Sequence, residues 1–297
     1  MADIQALRSQ EYSTNLEMLS QQKAAKLAPY AIVQQASGSK AFRMLSQIDN
    51  TNASLRTTSA KPAMNVEVPH DGRWVYPQMY DWGKVIDDID LLQTNISPQG
   101  AYVQSAVAAL NRTTDDLFTS AFFGTAKTGE TGSTSTQFNT NNVVAVTEGA
   151  GAATGLNVEK LRAAQKLLLD NDVDIDMEEI YIAVSPKQND DLLALTQVIS
   201  SDFNGADKPV LQDGRVRRFL NMNFIISTRL PADSNSYRRN PVWVKSGMGC
   251  GVWKNINGVI RKRPDLQGDP DYAEASMMKD FTRLEEAKCV EIKSSET

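Results

Sequence analysis

Apolar residues recur with helical spacing over one long stretch of the chain, from Ser97 to Gly124. Ser97 is a favourable N-cap, Pro98 suits the first helical position, and Gly124 is a typical residue for a helix end. Arg112 lies four residues before Asp116, a spacing that predicts a supporting ion pair. At about 1.5 Å per residue this predicted helix is roughly 40 Å long, two to three times a typical globular helix. Its apolar stripe consists of Val103, Ala106, Leu110, Leu117 and Ala121, with Val107 and Phe118 beside it.

The segments before this helix are polar and lack a core of their own. The apolar residues of 1–42 are too scattered to form a buried stripe, so this segment is either disordered or an arm that packs on a surface elsewhere. Residues 43–82 favour an extended β-hairpin, with strands AMNVEVP and WVYPQMY and a turn at PHDG. Because an isolated hairpin is only marginally stable in water, we expect it to rest on another part of the protein or on another subunit.

Helices and strands alternate in the second half of the chain. Residues 125–155 are rich in Gly, Ser, Thr and Asn, with one short predicted strand at 143–146. Asn157 is then predicted to cap a helix, and Ser185 begins another, with Gln188 completing a capping box. The first of these helices has the staple pair Leu156 and Leu161 and a buried stripe of Leu161, Ala164 and Leu168. Strands are predicted at 180–184, 223–227, 242–245, 250–253 and 287–293. The segment 156–250 therefore reads as a compact α/β unit.

The composition is that of an ordinary folded protein with an acidic balance. Of its 297 residues 41% are hydrophobic and 23% charged, and the net charge is −5. An acidic pI of about 5.1 argues against a dedicated nucleic-acid-binding domain, which usually has a basic pI. No apolar run approaches the ~20 residues that cross a bilayer, and the first twelve residues are too polar for a secretory signal. We therefore expect a protein kept in a cytoplasm-like compartment, with Cys250 and Cys289 as buried free thiols.

Histidine-based and nucleotide-dependent catalysis are both disfavoured. Any histidine triad or multi-histidine metal site would have to use the single His70, which lies in the predicted PHDG turn. The stretch GTAKTGET at 124–131 has the outline of a phosphate-binding loop. However, Glu130 occupies the lysine position, and the stretch follows a helix instead of a strand.

The remaining polar motifs have simpler explanations than catalysis. The acidic stretch 170–179 lacks the glycine and glutamate of a calcium-binding loop, since those positions hold Ile175 and Tyr181. Ser185 and Lys187 are two residues apart at a helix start and do not face each other. The sequence thus predicts no catalytic residue, no cofactor-binding residue and no metal ligand.

Two groups of basic residues are candidates for contacts between subunits. The first group is expected to be exposed on the hairpin. The second follows a turn in DGRVRRF and could touch phosphate, although a solvated or intersubunit salt-bridge role is the simpler interpretation. The candidates are Arg56, Lys61 and Arg73 in the first group and Arg215, Arg217 and Arg218 in the second.

This order of parts resembles the major capsid protein of tailed bacteriophages, a fold shared with encapsulins and the herpesvirus capsid floor. The stretches that carry the resemblance are 85–126, 156–174, 181–195 and 283–296. The resemblance implies an α+β phage major-capsid fold, whose parts would fall in chain order. They are an N-terminal arm at 1–42, an extended β-hairpin loop at 43–82, a peripheral domain at 83–156 with a spine helix at 97–124, an α/β axial domain at 157–250, and return strands at 251–297 that complete both domains.

The resemblance also implies a function and a set of partners. The protein would assemble with itself, in the host cytoplasm, into hexamers and pentamers of an icosahedral virion shell. The shell would enclose double-stranded DNA without sequence-specific binding and without a membrane. A portal, and in some shells a decoration protein, would join it. Because no long helical pro-segment precedes the arm, we expect a separate scaffolding protein, unless such a segment has been removed.

Two alternatives stay open at this point. One is an encapsulin-like compartment with the same fold and a protein cargo, which co-purifying enzyme would reveal. The other is a nucleotide-dependent enzyme built on the α/β segment, against which Glu130 and the single His70 weigh heavily.

Overall fold

The computed structural model describes residues 20–36, 38, 40–48, 70–86, 99–195, 211–212 and 215–296, with the single positions 51, 53, 55, 59 and 68. The predicted helix start at Ser97 and Pro98 lies outside these residues. The predicted strand AMNVEVP (63–69) lies outside them as well, apart from position 68.

Three α-helices, four short 3₁₀-helices and sixteen strands make up the regular structure of these residues. The helices are α1 (Gln99–Phe123), α2 (Val158–Asp170) and α3 (Pro186–Leu193). The strands are β1 (Ile32–Gln35), β2 (Phe42–Ile48), β3 (His70–Val75), β4 (Met79–Ile86), β5 (Ala126–Thr128), β6 (Thr134–Thr136), β7 (Val143–Val144), β8 (Ile180–Val184), β9 (Leu211–Gln212), β10 (Arg215–Val216), β11 (Arg218–Phe219), β12 (Met222–Ile226), β13 (Arg238–Val244), β14 (Met248–Lys262), β15 (Asp271–Arg283) and β16 (Cys289–Ser294).

The chain forms two compact units, each built from separated segments. The first unit comprises Met1–Ala25, Met79–Thr113 and Lys254–Met278. The second comprises Lys26–Gln78, Thr114–Trp253 and Lys279–Thr297. The long elements α1, β14 and β15 each supply residues to both units.

In the first unit, β4 and β15 pair antiparallel, with Met79 opposite Met278 and Ile86 opposite Asp271. On β15 the alternate residues Ala273, Ala275 and Met277 are buried, as expected for a strand with one covered face. The helix α1 approaches β14 closely at Gly258, where a Cβ atom would lie 2.7 Å from Cγ1 of Val103. A glycine at this point therefore allows the close contact.

The second unit is organised by a six-stranded sheet with the order β11-β12-β8-β13-β16-β7. The strand β8 pairs parallel with β12 and antiparallel with β13. The strand β16 pairs antiparallel with β13 and parallel with β7. The sheet thus joins segments that are far apart in the sequence.

Both faces of this sheet are covered, which explains the continuous apolar run of β8. Ile180, Ile182 and Val184 pack with α2 and α3 in one buried cluster. Tyr181 and Ala183 belong to a second cluster that includes Phe118 and Phe122 of α1 and the buried Trp243. Because successive side chains of a strand point to opposite faces, a strand between two layers is apolar throughout. Cys250 and Cys289 are buried and free, as predicted.

The predicted local helix signals of this unit are confirmed. The Asn157 side chain accepts a hydrogen bond from the amide of Lys160 at 2.8 Å. The Ser185 and Gln188 side chains form the reciprocal capping box. The predicted stripe Leu161, Ala164 and Leu168 is fully buried.

A smaller four-stranded sheet of the second unit, β2-β3-β5-β6, corrects the predicted hairpin turn. His70, Asp71 and Gly72 are strand residues of β3, and they pair with Ile48, Gln47 and Ser46 of β2. The PHDG turn is therefore wrong over its last three residues. Cross-strand pairing with β2 overrides the local turn preference of Asp-Gly.

Four further expectations need correction. The predicted strand WVYPQMY (74–80) is not continuous, because β3 ends at Val75 and β4 begins at Met79. The predicted ion pair between Arg112 and Asp116 does not form, because Arg112 donates to Gln21 Oε1 at 2.6 Å while Asp116 accepts from Nε of Arg229 at 2.6 Å. The strand predicted at 143–146 is only Val143–Val144. The strand predicted at 250–253 is part of the fifteen-residue β14, and β15 was not predicted.

Candidate assembly surfaces

The basic residues proposed as intersubunit contacts occupy different environments. Arg56 and Lys61 lie outside the described residues. Arg73, predicted to be exposed, is only 7% exposed. Its Nε atom donates to the Leu284 carbonyl at 2.9 Å, and Nη1 lies 3.7 Å from Oδ2 of Asp71. The predicted exposure is wrong because Arg73 belongs to an inner strand of its sheet, not to a hairpin tip.

Arg73 helps to fix the paired strands β2 and β3 to the rest of the second unit. Gln47 Nε2 donates to the same Leu284 carbonyl at 2.5 Å. Asp71 Oδ1 accepts the amides of Gly72 and Gly129 at 2.7 and 2.8 Å. Burial raises the pKa of Asp71, but these hydrogen bonds and the charges of Arg73 and Arg43 together hold the pKa below its ordinary value. The base of the β2–β3 pair is therefore anchored within its own chain.

The cluster formed by Arg215, Arg217 and Arg218 is exposed, in contrast to Arg73. Val216, between Arg215 and Arg217, is buried. Arg215 lies on β10, Arg218 on β11, and Arg217 joins the two strands. Arg215 and Arg217 border a cleft of about 390 Å³. We call it the arginine cleft; its other lining residues are Tyr30, Glu179, Tyr181, Val216, Asn223, Phe224 and Ile226.

The interior of the arginine cleft is aromatic and polar. The rings of Tyr30 and Tyr181 lie 4.6 Å apart, and the Tyr181 hydroxyl donates to Oε2 of Glu179 at 2.6 Å. Burial, reinforced by Glu179, raises the pKa of Tyr181 to about 12. At neutral pH this tyrosine is therefore a stable hydrogen-bond donor and is poorly suited to act as a base.

An anchor for the N-terminal segment was not predicted from the sequence. The Asp115 carboxylate on α1 accepts the amides of Lys26, at 2.9 and 3.0 Å, and of Leu27, at 3.0 Å. Leu27 is fully buried, and Trp243 Nε1 donates to the Tyr30 carbonyl at 2.9 Å. The end of the predicted arm thus packs within the chain's own second unit. The sequence contains one signal for this anchor. Asp115 lies three residues before Phe118, so an acidic side chain falls on the apolar face of the helix, where it needs a polar partner.

A second unpredicted anchor lies at the C-terminal end of α1. Arg283 is fully buried, and its Nη1 atom donates to the carbonyls of Ala121, Phe122 and Gly124 at 2.6 to 3.0 Å. Its Nε atom pairs with Glu286 at 2.9 Å. A cation at a helix C-terminus is favourable because it satisfies carbonyls that have no helical partner.

The structure offers no phosphate-binding geometry in the stretch 124–131. Ala126–Thr128 forms β5, which pairs with β6, and Gly129 begins the turn between them with a φ of +88°. Glu130 is exposed in that turn. The segment is therefore a β-hairpin.

The other candidate motifs are occupied by structural contacts. Ser185 Oγ caps α3 and donates to Glu296 at 2.5 Å, while Lys187 pairs with Asp191 at 3.1 Å. Among the described residues, no group of three or more His, Cys, Asp or Glu side chains could hold a metal ion. In the same part of the chain, no helix is both long and apolar enough to span a bilayer.

Comparison with known proteins decides between the interpretations left open by the sequence. The family model described as phage capsid protein matches residues 4–296. The chain belongs to the phage capsid protein family. A comparison with curated proteins finds no match.

Solved capsid structures show the same fold at low sequence identity. A capsid chain of cyanophage P-SCSP1u is 14% identical, with a TM-score of 0.75, and the match covers 100% of this chain and 96% of that one. A chain of the Helicobacter pylori bacteriophage KHP40 head is 11% identical, with a TM-score of 0.73 and coverages of 97% and 96%. A cyanophage Pam1 capsid chain is 12% identical, with a TM-score of 0.72 and coverages of 99% and 99%.

The identification of a phage major capsid protein from the sequence is thereby confirmed. The α+β fold is confirmed as that of phage capsid proteins. The chain is a structural component of the virion, and the family match favours this over a nucleotide-dependent enzyme or a cargo compartment.

Proposed function

We propose that this capsid protein assembles with itself into hexamers and pentamers that close into the icosahedral head shell of a tailed phage. The observation that carries the proposal is the match to capsid folds over the full length of the chain. The shell encloses double-stranded DNA, and the acidic pI of about 5.1 suits an inner wall that does not hold the DNA tightly.

The parts of the subunit take the roles that the resemblance implies. Residues 1–42 act as an arm, 43–82 as an extended loop over a neighbour, 83–156 as the peripheral domain with spine helix 97–124, and 157–250 as the axial domain. Residues 251–297 return to complete both domains. In support, β14 and β15 contribute to both compact units, and β16 completes the six-stranded sheet.

Contacts between subunits involve the exposed arginine cluster of Arg215, Arg217 and Arg218. Their exposure supports this role, whereas Arg73 serves its own chain. Arg56 and Lys61 are further candidates on the extended loop. A scaffolding protein and a portal act during assembly, and a decoration protein is a further partner of such a shell.

Electron microscopy of the expressed chain, with and without its scaffolding and portal proteins, tests the proposed function. We expect closed shells or capsomer rings. A chain that remains monomeric in every combination would overturn the proposal. Shells that co-purify with an enzyme and never with a portal would instead support the compartment alternative.

A further inference from the structure

Met177 is presented to solvent by a loop whose backbone is fixed. The side chain is 84% exposed. Asp174 Oδ1 accepts the amides of Asp176 and Met177 at 3.1 and 3.2 Å, and the Ile175 carbonyl accepts Nδ2 of Asn221 at 2.9 Å. A loop that is ordered in advance loses little conformational entropy when a partner binds it.

Three acidic residues share the loop with the exposed methionine. Asp172, Asp174 and Asp176 are all exposed on the same loop. The loop therefore combines one protruding apolar group with a local excess of negative charge. We call residues 172–177 the methionine loop.

The arginine cleft has the complementary properties. Arg215 and Arg217 place two positive charges at its border, against the single carboxylate of Glu179, which accepts the hydrogen bond of the Tyr181 hydroxyl. Tyr30, Phe224 and Ile226 provide aromatic and apolar surface. Its volume of about 390 Å³ lies within the range of roughly 300–1,000 Å³ that is usual for binding pockets. A methionine side chain adapts readily to such a surface and makes favourable contacts with aromatic rings.

The methionine loop does not fill the arginine cleft of its own chain, as the exposure of Met177 shows. We propose that the methionine loop of one copy docks into the arginine cleft of a second copy, with Met177 inside the cleft and the carboxylates facing Arg215 and Arg217. A single exposed apolar residue is common on protein surfaces and would not suffice. The complementary charge of the two surfaces, together with a cleft large enough for a methionine side chain, carries the inference, which rests on the self-assembly proposed above.

Truncation of the methionine tests the apolar part of the contact. Met177→Ala is expected to reduce the yield of shells or capsomer rings while leaving the melting temperature of the unassembled chain unchanged. Leu169→Ala is the matched control, because Leu169 is an apolar side chain that is 50% exposed on α2. Equal yields from both variants and the wild type would overturn the proposal.

A mixing experiment tests whether the charged contact joins two copies. Asp176→Lys and Arg215→Glu are each expected to assemble poorly alone, because each creates a pair of like charges at the contact. When the two variants are co-expressed, the altered loop of one faces the altered cleft of the other, and the unaltered surfaces face each other. Six-membered rings, in which the two variants can alternate, should then recover. A five-membered ring keeps one mismatched contact, and a contact within one chain stays mismatched in both variants.

The results separate this inference from the proposed function. If the wild-type chain forms no rings or shells, the self-assembly proposal fails. If the wild type assembles and both charge variants assemble equally well, only the docking contact fails. A mixture that assembles no better than either folded variant alone would also overturn the docking contact.

Discussion

At the scale of single residues, the buried Lys160 joins the helix α2 to the glycine-rich segment before it. Lys160 is fully buried, and its Nζ atom donates to the carbonyls of Thr154 and Gly155 at 2.7 and 2.9 Å. Burial lowers the pKa of this amine to about 8, although the charges of Asp191 and Glu148 oppose the shift. The hydrogen bonds fix the glycine-rich segment to α2, whereas the burial of the ammonium charge is unfavourable.

The low pKa predicts that this site stabilises the fold more at alkaline pH. The folded-state pKa of about 8 lies below the ordinary value of 10.5, so the unfolded chain binds more protons between these values. The free energy of unfolding should therefore rise with pH in this window, by up to about 3 kcal/mol relative to a Lys160→Met variant. Urea unfolding at several pH values from 7.5 to 10 measures the difference. The exposed Lys166→Met is the control, and parallel pH profiles for wild type and Lys160→Met would contradict the assignment.

At the scale of elements, the end of α1 depends on a residue far away in the sequence. Gly124 ends the helix, with its amide donating to the Ser120 carbonyl at 2.8 Å. Arg283, at the end of β15, donates to the carbonyls of Ala121, Phe122 and Gly124. Its Nη2 atom also donates to the Thr136 carbonyl at 3.2 Å. One side chain thus fixes the helix end and the β5–β6 hairpin together.

Removal of this side chain should destabilise the second unit strongly. Arg283→Met leaves buried carbonyls and Glu286 without their partner, which typically costs about 3–5 kcal/mol. Thermal or urea unfolding of the unassembled chain measures the loss. Arg263→Met is the control, because Arg263 forms a surface pair with Asp265 and its removal should change stability little. Comparable stabilities for the two variants would show that Arg283 is not an anchor.

Elements whose signal is local were predictable, and those that depend on distant partners were not. The caps at Asn157 and Ser185 act within four residues, so the sequence shows them directly. In contrast, β15 places Asp271, Ala273 and Ala275 at buried positions, and such small or charged residues do not read as a buried strand face. Its role, like that of Arg283, follows from partners many residues away along the chain. For the candidate assembly surfaces, the sequence correctly indicated solvated arginines at 215, 217 and 218 but could not show the cleft beside them.

At the scale of the whole molecule, the six-stranded sheet is covered on both faces by residues of its own chain. This coverage leaves the periphery of the unit for contacts. Ile48 at the end of β2 is 70% exposed. We therefore assign the stability of the subunit to its sheet and core; the segments that leave them are the proposed assembly elements.

A deletion can separate stability from assembly. Ile48 and His70 are paired across β2 and β3, so an Asn-Gly turn can replace residues 49–69 without breaking this pairing. We expect the variant to keep the melting temperature of the unassembled wild type and to lose closed shells, because the proposed extended loop is gone. Electron microscopy and thermal unfolding provide the two readouts. Normal particles from this variant would refute the role of the loop.

The position of β16 has a consequence for biosynthesis. This strand is the last in chain order among the described strands, yet it lies inside the six-stranded sheet, between β13 and β7. While the ribosome is still translating the residues before 289, the hydrogen-bonding edge of β13 that β16 will occupy is open, and β7 has no strand beside it. The nascent chain thus cannot complete this six-stranded sheet until β16 has been translated.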